Sequence, residues 1–169
     1  MSSQYPGASS AASGNEPPAG LGYAAPARNT FGFDLSNLKK RLLDVTGVPQ
    51  QLTYSYWLWA GGAVLGIIFS ILNIFIATAA LGAYTGIMAG AAIGSLIWGI
   101  IWGAAVIFVA IRLKEGSRWA RIVLTVLGAL AVIAFFVELA TLNLTAVSSA
   151  ATVAGAVLMW MPQSQKHFA

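Results

Sequence analysis

Residues 54–111 read YSYWLWAGGAVLGIIFSILNIFIATAALGAYTGIMAGAAIGSLIWGIIWGAAVIFVAI and contain no Asp, Glu, Lys or Arg. A helix needs about 20 apolar residues to cross a hydrocarbon core roughly 30 Å thick. The stretch is therefore long enough for two membrane-spanning helices and a connection. We predict spans over residues 55–77 and 87–111, because small and turn-compatible residues interrupt the bulky aliphatic ones near residues 78–86.

The sequence after this stretch predicts two more spans. Residues 119–139 carry only Arg121 at the start and Glu138 near the end, and residues 142–161 carry no charge. In the short link before residue 119, Gly116 suits the end of one helix and Ser117 the start of the next. The predicted fold class is therefore an all-α membrane protein, an up-down-up-down bundle of four transmembrane helices in residues 54–162.

Both ends of the chain are predicted to lie outside the bundle. Residues 1–30 are rich in Ser, Ala, Gly and Pro and have few large apolar side chains, so we predict a disordered cytoplasmic tail. Residues 163–169 are predicted to form a short cytoplasmic tail after the last span. His167, close to the end of the chain, is expected to be exposed.

Residues 31–53 are predicted to form an amphipathic juxtamembrane segment. Apolar residues recur on one face of a helix expected from Asp34 to Val45, and basic residues flank that face. Such a helix would rest on the inner leaflet with its basic side chains reaching lipid phosphates. The alternative is a docking helix that fills a groove of a partner. Gly47 and Pro49 are expected to end it.

The composition leaves little material for catalysis. The chain is 58% hydrophobic and 8% charged, whereas soluble domains carry about 25% charged residues. It has no Cys, one His and five acidic residues, too few for an evident metal centre, thiol nucleophile or carboxylate pair. We predict no catalytic, cofactor-binding or metal site and expect a non-enzymatic protein.

The basic residues set the predicted orientation. All nine Lys and Arg residues lie on one side of the predicted spans, so the positive-inside rule places both termini in the cytoplasm and the chain in the inner membrane. Contact with anionic headgroups accounts for the net charge of +4, and no nucleic-acid partner is expected. The residues predicted to lie at the membrane surface are Lys39, Lys40, Arg41, Arg112, Arg118 and Arg121.

Glycines recur at intervals of four, which lets helix backbones approach closely in a membrane. The spacing leaves open whether the neighbouring helix belongs to this chain or to another subunit. Trp98 and Trp102 share one face of the second span, where they are expected to fill a gap in the bundle, with binding of an isoprenoid or a partner interface as the alternatives. The predicted packing residues are Gly62, Gly66, Gly82, Gly86, Gly90, Gly94, Gly99 and Gly103.

Glu138 is the single acidic side chain in the predicted spans. Its place beside an outer loop favours a solvated carboxylate. The alternative is a role in proton- or cation-coupled transport, because polar groups at membrane depth often mark such pathways. Asn73 in the first span is the second candidate for that role.

The order of parts resembles the small four-span integral membrane proteins of actinobacteria such as mycobacteria and corynebacteria. The resemblance depends on the Pro-, Gly- and Ser-rich tail, the segment GSRWARIVLT at residues 116–125, and the ending with Pro162, Lys166 and Phe168. It assigns no functional residue. The expected function is an accessory or scaffold subunit of a larger envelope or respiratory membrane complex. The alternative is a small transporter or channel-like oligomer, and the expected partners are the lipid bilayer and either another membrane protein or further copies of the chain.

Overall fold

The computed structural model describes residues 20–28, 37–81 and 87–168, and within these ranges it contains helices and no β-strand. This confirms the all-α class for the described part of the chain. A short 3-10 helix, Lys166–Phe168, follows the last α-helix. The α-helices are α1 (Leu38–Leu43), α2 (Gln50–Leu81), α3 (Ile87–Lys114), α4 (Arg118–Ala140), α5 (Ala146–Leu158) and α6 (Pro162–Gln165).

Three of these helices, α2, α3 and α4, are long and apolar enough to cross a membrane. They correspond to the first three predicted spans. The apolar parts are Gln50–Ile76, Ala92–Lys114 and Arg118–Ala140. Helix α2 has 32 residues, which gives a length of about 48 Å at 1.5 Å per residue.

Helix α5 is shorter than the span predicted over residues 142–161. It has 13 residues, a length of about 20 Å. The prediction is wrong at the start because Leu142 has a left-handed backbone with φ 51°. Asn143 Oδ1 then accepts hydrogen bonds from the backbone N–H and the hydroxyl of Thr145, at 3.0 and 2.8 Å. An Asn side chain that bonds the backbone two residues ahead favours a turn over a helix.

Helix α5 packs antiparallel to α2. Ser55 Oγ donates a hydrogen bond of 2.7 Å to the carbonyl oxygen of Gly155. At the other end of the pair, Asn73 Nδ2 donates to Asn143 Oδ1 at 3.0 Å. The residue number rises along α2 as it falls along α5, so the two helices run in opposite directions.

Helix α5 also packs antiparallel to α4, and therefore lies between α2 and α4. Trp160 Nε1 donates to Thr125 Oγ1 at 3.0 Å, and Ser149 Oγ donates to Glu138 Oε2 at 2.6 Å. We call the end of the bundle where α2 and α4 begin the basic end, and the end where they finish the far end. The buried apolar core is concentrated toward the basic end and includes Leu52, Tyr56, Trp59, Ile111, Leu124 and Met159.

Helix α3 packs mainly on α2 and makes fewer contacts with α4. A Cβ atom at Gly103 of α3 would lie 3.0 Å from Ile67 Cδ1 of α2. The turn between α3 and α4 is short, and Gly116 within it has φ 81°, a conformation that glycine adopts without strain. The predicted tight turn is confirmed, with α4 beginning directly after Ser117.

The segment before α2 differs from its prediction. The helix expected from Asp34 to Val45 is seen as α1 alone, and residues 29–36 lie outside the described part of the chain. The buried side chain of α1 is Arg41, which was expected at the flank of an apolar face. Arg41 is buried because its side chain forms an ion pair with a residue far away in the sequence.

Candidate functional site

Three charged side chains form a buried cluster at the basic end. Arg41 Nε and one terminal nitrogen of Arg41 donate to the two carboxylate oxygens of Glu115 at 2.7 and 3.0 Å. Arg112 donates to Glu115 Oε2 at 2.9 Å. We call Arg41, Arg112 and Glu115 the ion-pair cluster. Each of the three is at most 1% exposed, and a buried carboxylate of this kind is stabilised by paired, hydrogen-bonding cations.

The six residues predicted to lie at the membrane surface differ in how much of each side chain is exposed. Lys39, Lys40 and Arg118 are exposed. Arg121 is half-buried, with its guanidinium 4.7 Å from the ring centre of Trp160. The buried positions of Arg41 and Arg112 contradict the prediction, because Glu115 draws both guanidinium groups away from the surface.

Lys114 connects the end of α3 to the chain around α1. Its Nζ donates to the carbonyl oxygens of Arg41 and, at 2.6 Å, of Asp44. The same ammonium lies 4.8 Å from the ring centre of Tyr56 and 5.1 Å from that of Tyr23, close enough for cation–π attraction. The basic end is thus held together by contacts between residues far apart in sequence.

Parts of both predicted tails pack against this end. Arg112 donates to the carbonyl oxygen of Ala27 at 3.0 Å, and Ser117 Oγ donates to that of Arg28. Residues 1–19 of the predicted disordered tail lie outside the described part of the chain, and the described residues 20–28 form no helix or strand. His167 is buried, with Nε2 2.8 Å from the carbonyl oxygen of Lys114, so the prediction that it is exposed is wrong.

Burial also shifts the pKa values of His167 and Tyr23 at the basic end. Desolvation keeps the pKa of His167 below its ordinary value, and the positive charge of Arg28 acts in the same direction, whereas the hydrogen bond to Lys114 opposes it. Desolvation raises the pKa of Tyr23, and the negative charge of Glu115 adds to this effect. Both groups are therefore uncharged at neutral pH.

The predicted packing glycines also fall into two groups. A Cβ atom at Gly62 would lie 3.1 Å from Thr152 Oγ1, and one at Gly66 would lie 3.5 Å from Ser148 Oγ. These glycines, with Gly103, allow close packing inside the chain. By contrast, a Cβ atom at Gly90, Gly94 or Gly99 would meet no atom of the described chain within 4 Å. Gly82 and Gly86 lie outside the described residues.

Two close contacts were not among the predicted packing residues. A Cβ atom at Gly128 of α4 would lie 2.5 Å from Ala156 Cβ of α5, and one at Gly155 would lie 3.0 Å from Trp59 Cδ1. Gly155 carries the four-residue spacing only weakly, with Ala151, and Gly128 does not carry it with another glycine. Spacing between glycines therefore offered no signal for the tightest of these contacts.

The exposed part of α3 carries a tryptophan pair. Trp98 and Trp102 are 65% and 49% exposed, and their stacked rings have centres 6.3 Å apart. The expectation that both fill a gap in the bundle is wrong for Trp98. Trp102 is partly exposed and also lines a cavity inside the bundle.

This cavity has a volume of about 380 Å³ and is lined by residues of α2, α3, α4 and α5, together with Thr145 just before α5. Glu138 lies in its wall at the far end, where Oε2 accepts the hydrogen bond from Ser149. Asn73 lies outside the wall and bonds Asn143 instead. Glu138 and Asn73, the two residues predicted for transport, therefore do not lie in one site. The glycines that line the cavity are Gly62, Gly66, Gly99 and Gly103.

Within residues 20–28, 37–81 and 87–168, no group of three or more His, Asp or Glu side chains is arranged to hold a metal ion. The structure thus defines an all-helical chain with three helices that could cross a membrane, a buried ion-pair cluster at one end and a cavity with one carboxylate toward the other. Comparison of the chain with protein-family models, curated proteins and solved structures finds no match.

Proposed function

We propose that the chain is a non-enzymatic polytopic inner-membrane protein that serves as an accessory subunit and binds another membrane protein through α3. The observation that carries the proposal is a face of α3 formed by Gly90, Gly94, Ile97, Trp98 and Ile101. At 100° per residue, these five positions fall within an arc of about 100°. We call them the α3 face.

The α3 face has the features of a helix-packing surface without a neighbour in the described chain. Gly90 and Gly94 are exposed, and the side chains of Ile97, Trp98 and Ile101 are each more than half exposed. In lipid, apolar burial alone does not drive helices together, whereas small residues allow close backbone approach and dispersion contacts. A tryptophan beside such a groove adds a large contact area.

The proposed orientation places the basic end in the cytoplasm. All nine Lys and Arg residues belong to that end or to the segments attached to it, as the positive-inside rule requires of cytoplasmic loops. In this arrangement α5 is a fourth, short membrane helix beside α2 and α4. Both termini then lie on the cytoplasmic side.

A pair of glycine variants tests the accessory role. Gly94→Leu places a bulky side chain on the α3 face, and Gly61→Leu is the matched control on α2. A Cβ atom at either position would meet no atom of the described chain within 4 Å, so each substitution should leave the fold of the single chain intact. We expect G94L to reduce recovery of a partner at least tenfold and G61L to leave it unchanged.

The measurement is purification from native membranes in mild detergent with an N-terminal tag, because the C-terminal Phe168 is buried. Mass spectrometry then gives the identity and stoichiometry of each co-purified protein. Recovery of the wild-type chain alone, or only with further copies of itself, would contradict the accessory role. Equal partner recovery for wild type and G94L would remove the α3 face from the proposal.

A second candidate function is transport of a small molecule, favoured by the position of Glu138 in the wall of the cavity. Carboxylates at membrane depth commonly mark substrate or ion pathways. We expect Glu138→Gln to abolish uptake into proteoliposomes if the chain is a carrier and to leave partner recovery unchanged if it is an accessory subunit. Asp44→Asn, which removes one negative charge at the basic end, is the control.

A further inference from the structure

The cavity is elongated along the bundle. On α4 its lining runs from Leu127 to Glu138, a distance of about 16 Å at 1.5 Å per residue. Its volume of about 380 Å³ falls within the range of about 300–1,000 Å³ typical of small-molecule sites. The space is therefore long enough for an extended apolar molecule.

The walls of the cavity change in character along its length. Toward the basic end they are largely apolar and include Trp59, Val106 and Leu127. Most hydroxyls in the wall are already used, since Ser70, Ser148 and Thr152 each donate to a carbonyl oxygen of their own or the preceding turn. Glu138 is the charged group in the wall, and the ring N–H of Trp59 is a buried donor without a hydrogen-bond partner in the described part of the chain. A molecule that matches these walls has an apolar body and one polar end.

The charge at the polar end is that of the Glu138 carboxylate. Glu138 Oε2 accepts one hydrogen bond from Ser149, and no ion pair to Glu138 occurs among the described residues. The nearest basic residue along α4 is Arg121, which lies about 25 Å away along the helix axis. A carboxylate in surroundings of low dielectric attracts a cation much more strongly than one in water.

The cavity also reaches the side of the bundle. Trp102 of α3 and Leu130 of α4 both line it and are 49% and 57% exposed. Since α3 and α4 make fewer contacts with each other than with their other neighbours, the gap between them gives access from the surrounding hydrocarbon. An amphiphile dissolved in a bilayer could enter there without crossing a polar barrier.

We propose that the cavity binds a lipophilic cation, an apolar molecule with one ammonium group, which enters between α3 and α4 and pairs with Glu138. The inference deepens the second candidate function and rests on the same cavity. It concerns binding alone, so it stands apart from whether the bound molecule is carried across the membrane. The ammonium lies at the far end and the apolar body extends toward Trp59.

The test compares three probes with the same ten-carbon chain: decylammonium, decanol and decanoate. The full chain is placed in nanodiscs of zwitterionic phosphatidylcholine, binding is measured by titration calorimetry, and the signal of empty nanodiscs is subtracted to remove lipid partitioning. We expect decylammonium to bind saturably at one molecule per chain, at least tenfold more tightly than decanol. Decanoate should show no saturable binding.

Variants then separate the effect of the Glu138 charge from the effect of the space inside the cavity. Glu138→Gln should weaken decylammonium binding at least tenfold and leave decanol binding unchanged, whereas Asp44→Asn should change neither. Gly99→Leu should abolish binding of both probes, because Gly99 lines the cavity and a Cβ atom there would meet no atom of the described chain within 4 Å. Gly61→Leu is the matched control for a larger side chain outside the cavity. Equal elution profiles and unfolding temperatures would establish that the variants fold alike.

Three outcomes would overturn the proposal. Equal affinity for decylammonium and decanol would mean that the cavity accepts apolar chains without regard to charge. Unchanged decylammonium binding in E138Q, or no saturable binding to the wild-type chain, would exclude Glu138 as the cation site. If decylammonium binds as expected but is not taken up into proteoliposomes, transport fails as a function while the binding site remains.

Discussion

Every residue from Ile111 to Ser117 at the basic end is buried, whereas every residue from Thr141 to Leu144 at the far end is exposed. The first segment comprises the last residues of α3 and the link to α4, and the second is part of the link between α4 and α5. The buried segment contains Arg112, Lys114 and Glu115, and the exposed segment contains two leucines and no charge. Burial in this molecule therefore follows the availability of partners more than it follows hydropathy.

The two segments differ in burial because their polar groups are satisfied in different ways. Burying an unpaired charge costs several kcal/mol, but a carboxylate held by two guanidinium groups is compensated. At the far end, the contacts between helices are single hydrogen bonds such as that between Asn73 and Asn143. The basic end is thus the rigid part of the bundle, and the far end leaves the α3 face and the cavity accessible.

The largest expected effect comes from breaking the ion-pair cluster. Glu115→Gln keeps the shape of the side chain but removes the negative charge with which Arg41 and Arg112 both pair. We expect the free energy of unfolding to fall by about 3–5 kcal/mol, measured by reversible denaturation in detergent. Asp44→Asn, which removes a less buried carboxylate, should leave it nearly unchanged. A small loss in E115Q would show that the cluster does not set the stability of the basic end.

A second prediction compares one substitution at a tight and an open glycine. Gly128→Ala, on the half of α4 nearer the basic end, brings a Cβ atom to 2.5 Å from Ala156 Cβ and should cost about 1–3 kcal/mol through overpacking. Gly94→Ala, nearer the far end of α3, should be neutral or stabilising by up to about 1 kcal/mol. Unfolding of the purified chain in detergent measures both. Equal effects would mean that packing is uniform along the bundle.

A smaller effect is expected at the far end itself. Asn73→Ala removes the hydrogen bond to Asn143 and should lower the free energy of unfolding by about 0.6 kcal/mol, the average for such bonds between membrane helices. Thr78→Ala is the control, since that hydroxyl bonds only carbonyls of its own helix. A loss of more than about 2 kcal/mol in the free energy of unfolding of N73A would contradict the view that single hydrogen bonds hold the far end weakly.

The smallest effect is a pH dependence at the basic end. Because the pKa of His167 is lowered in the folded chain, the unfolded state binds the proton more readily. Stability is therefore present above the ordinary His pKa of about 6.5 and falls as the pH drops below it. Unfolding curves between pH 7.5 and 5.0 should show this loss, and His167→Gln should remove the part due to this residue. An identical pH dependence in H167Q would assign the effect to other groups.

Local signals in the sequence predicted the turn between α3 and α4 well. The predicted spans 87–111 and 119–139 end and begin close to Lys114 and Arg118, and Gly116 adopts the expected left-handed conformation. Ser117 stands at the expected N-cap position, but its side chain makes no cap hydrogen bond and donates to Arg28 instead. Helix ends are set by neighbours in sequence, which explains this success.

Local signals in the sequence did not predict contacts between residues that are far apart in the sequence. Arg41 and Glu115 are 74 residues apart, so helical periodicity around Arg41 carries no information about its partner. Gly99 and Gly103 share one spacing, yet only Gly103 meets another helix of the described chain. A glycine pattern predicts that a close approach is possible, and the arrangement of the helices decides whether a neighbour is present.

The unequal lengths of α2 and α5 have a consequence for the surrounding bilayer. Helix α2 has 32 residues and α5 has 13, so the two differ in length by roughly 28 Å. Lipids beside α5 would have to compress while those beside α2 would have to stretch, or α2 would have to tilt, at a fraction of a kcal/mol per Å of hydrophobic mismatch. In a membrane the bundle would therefore be surrounded by a bilayer of uneven thickness.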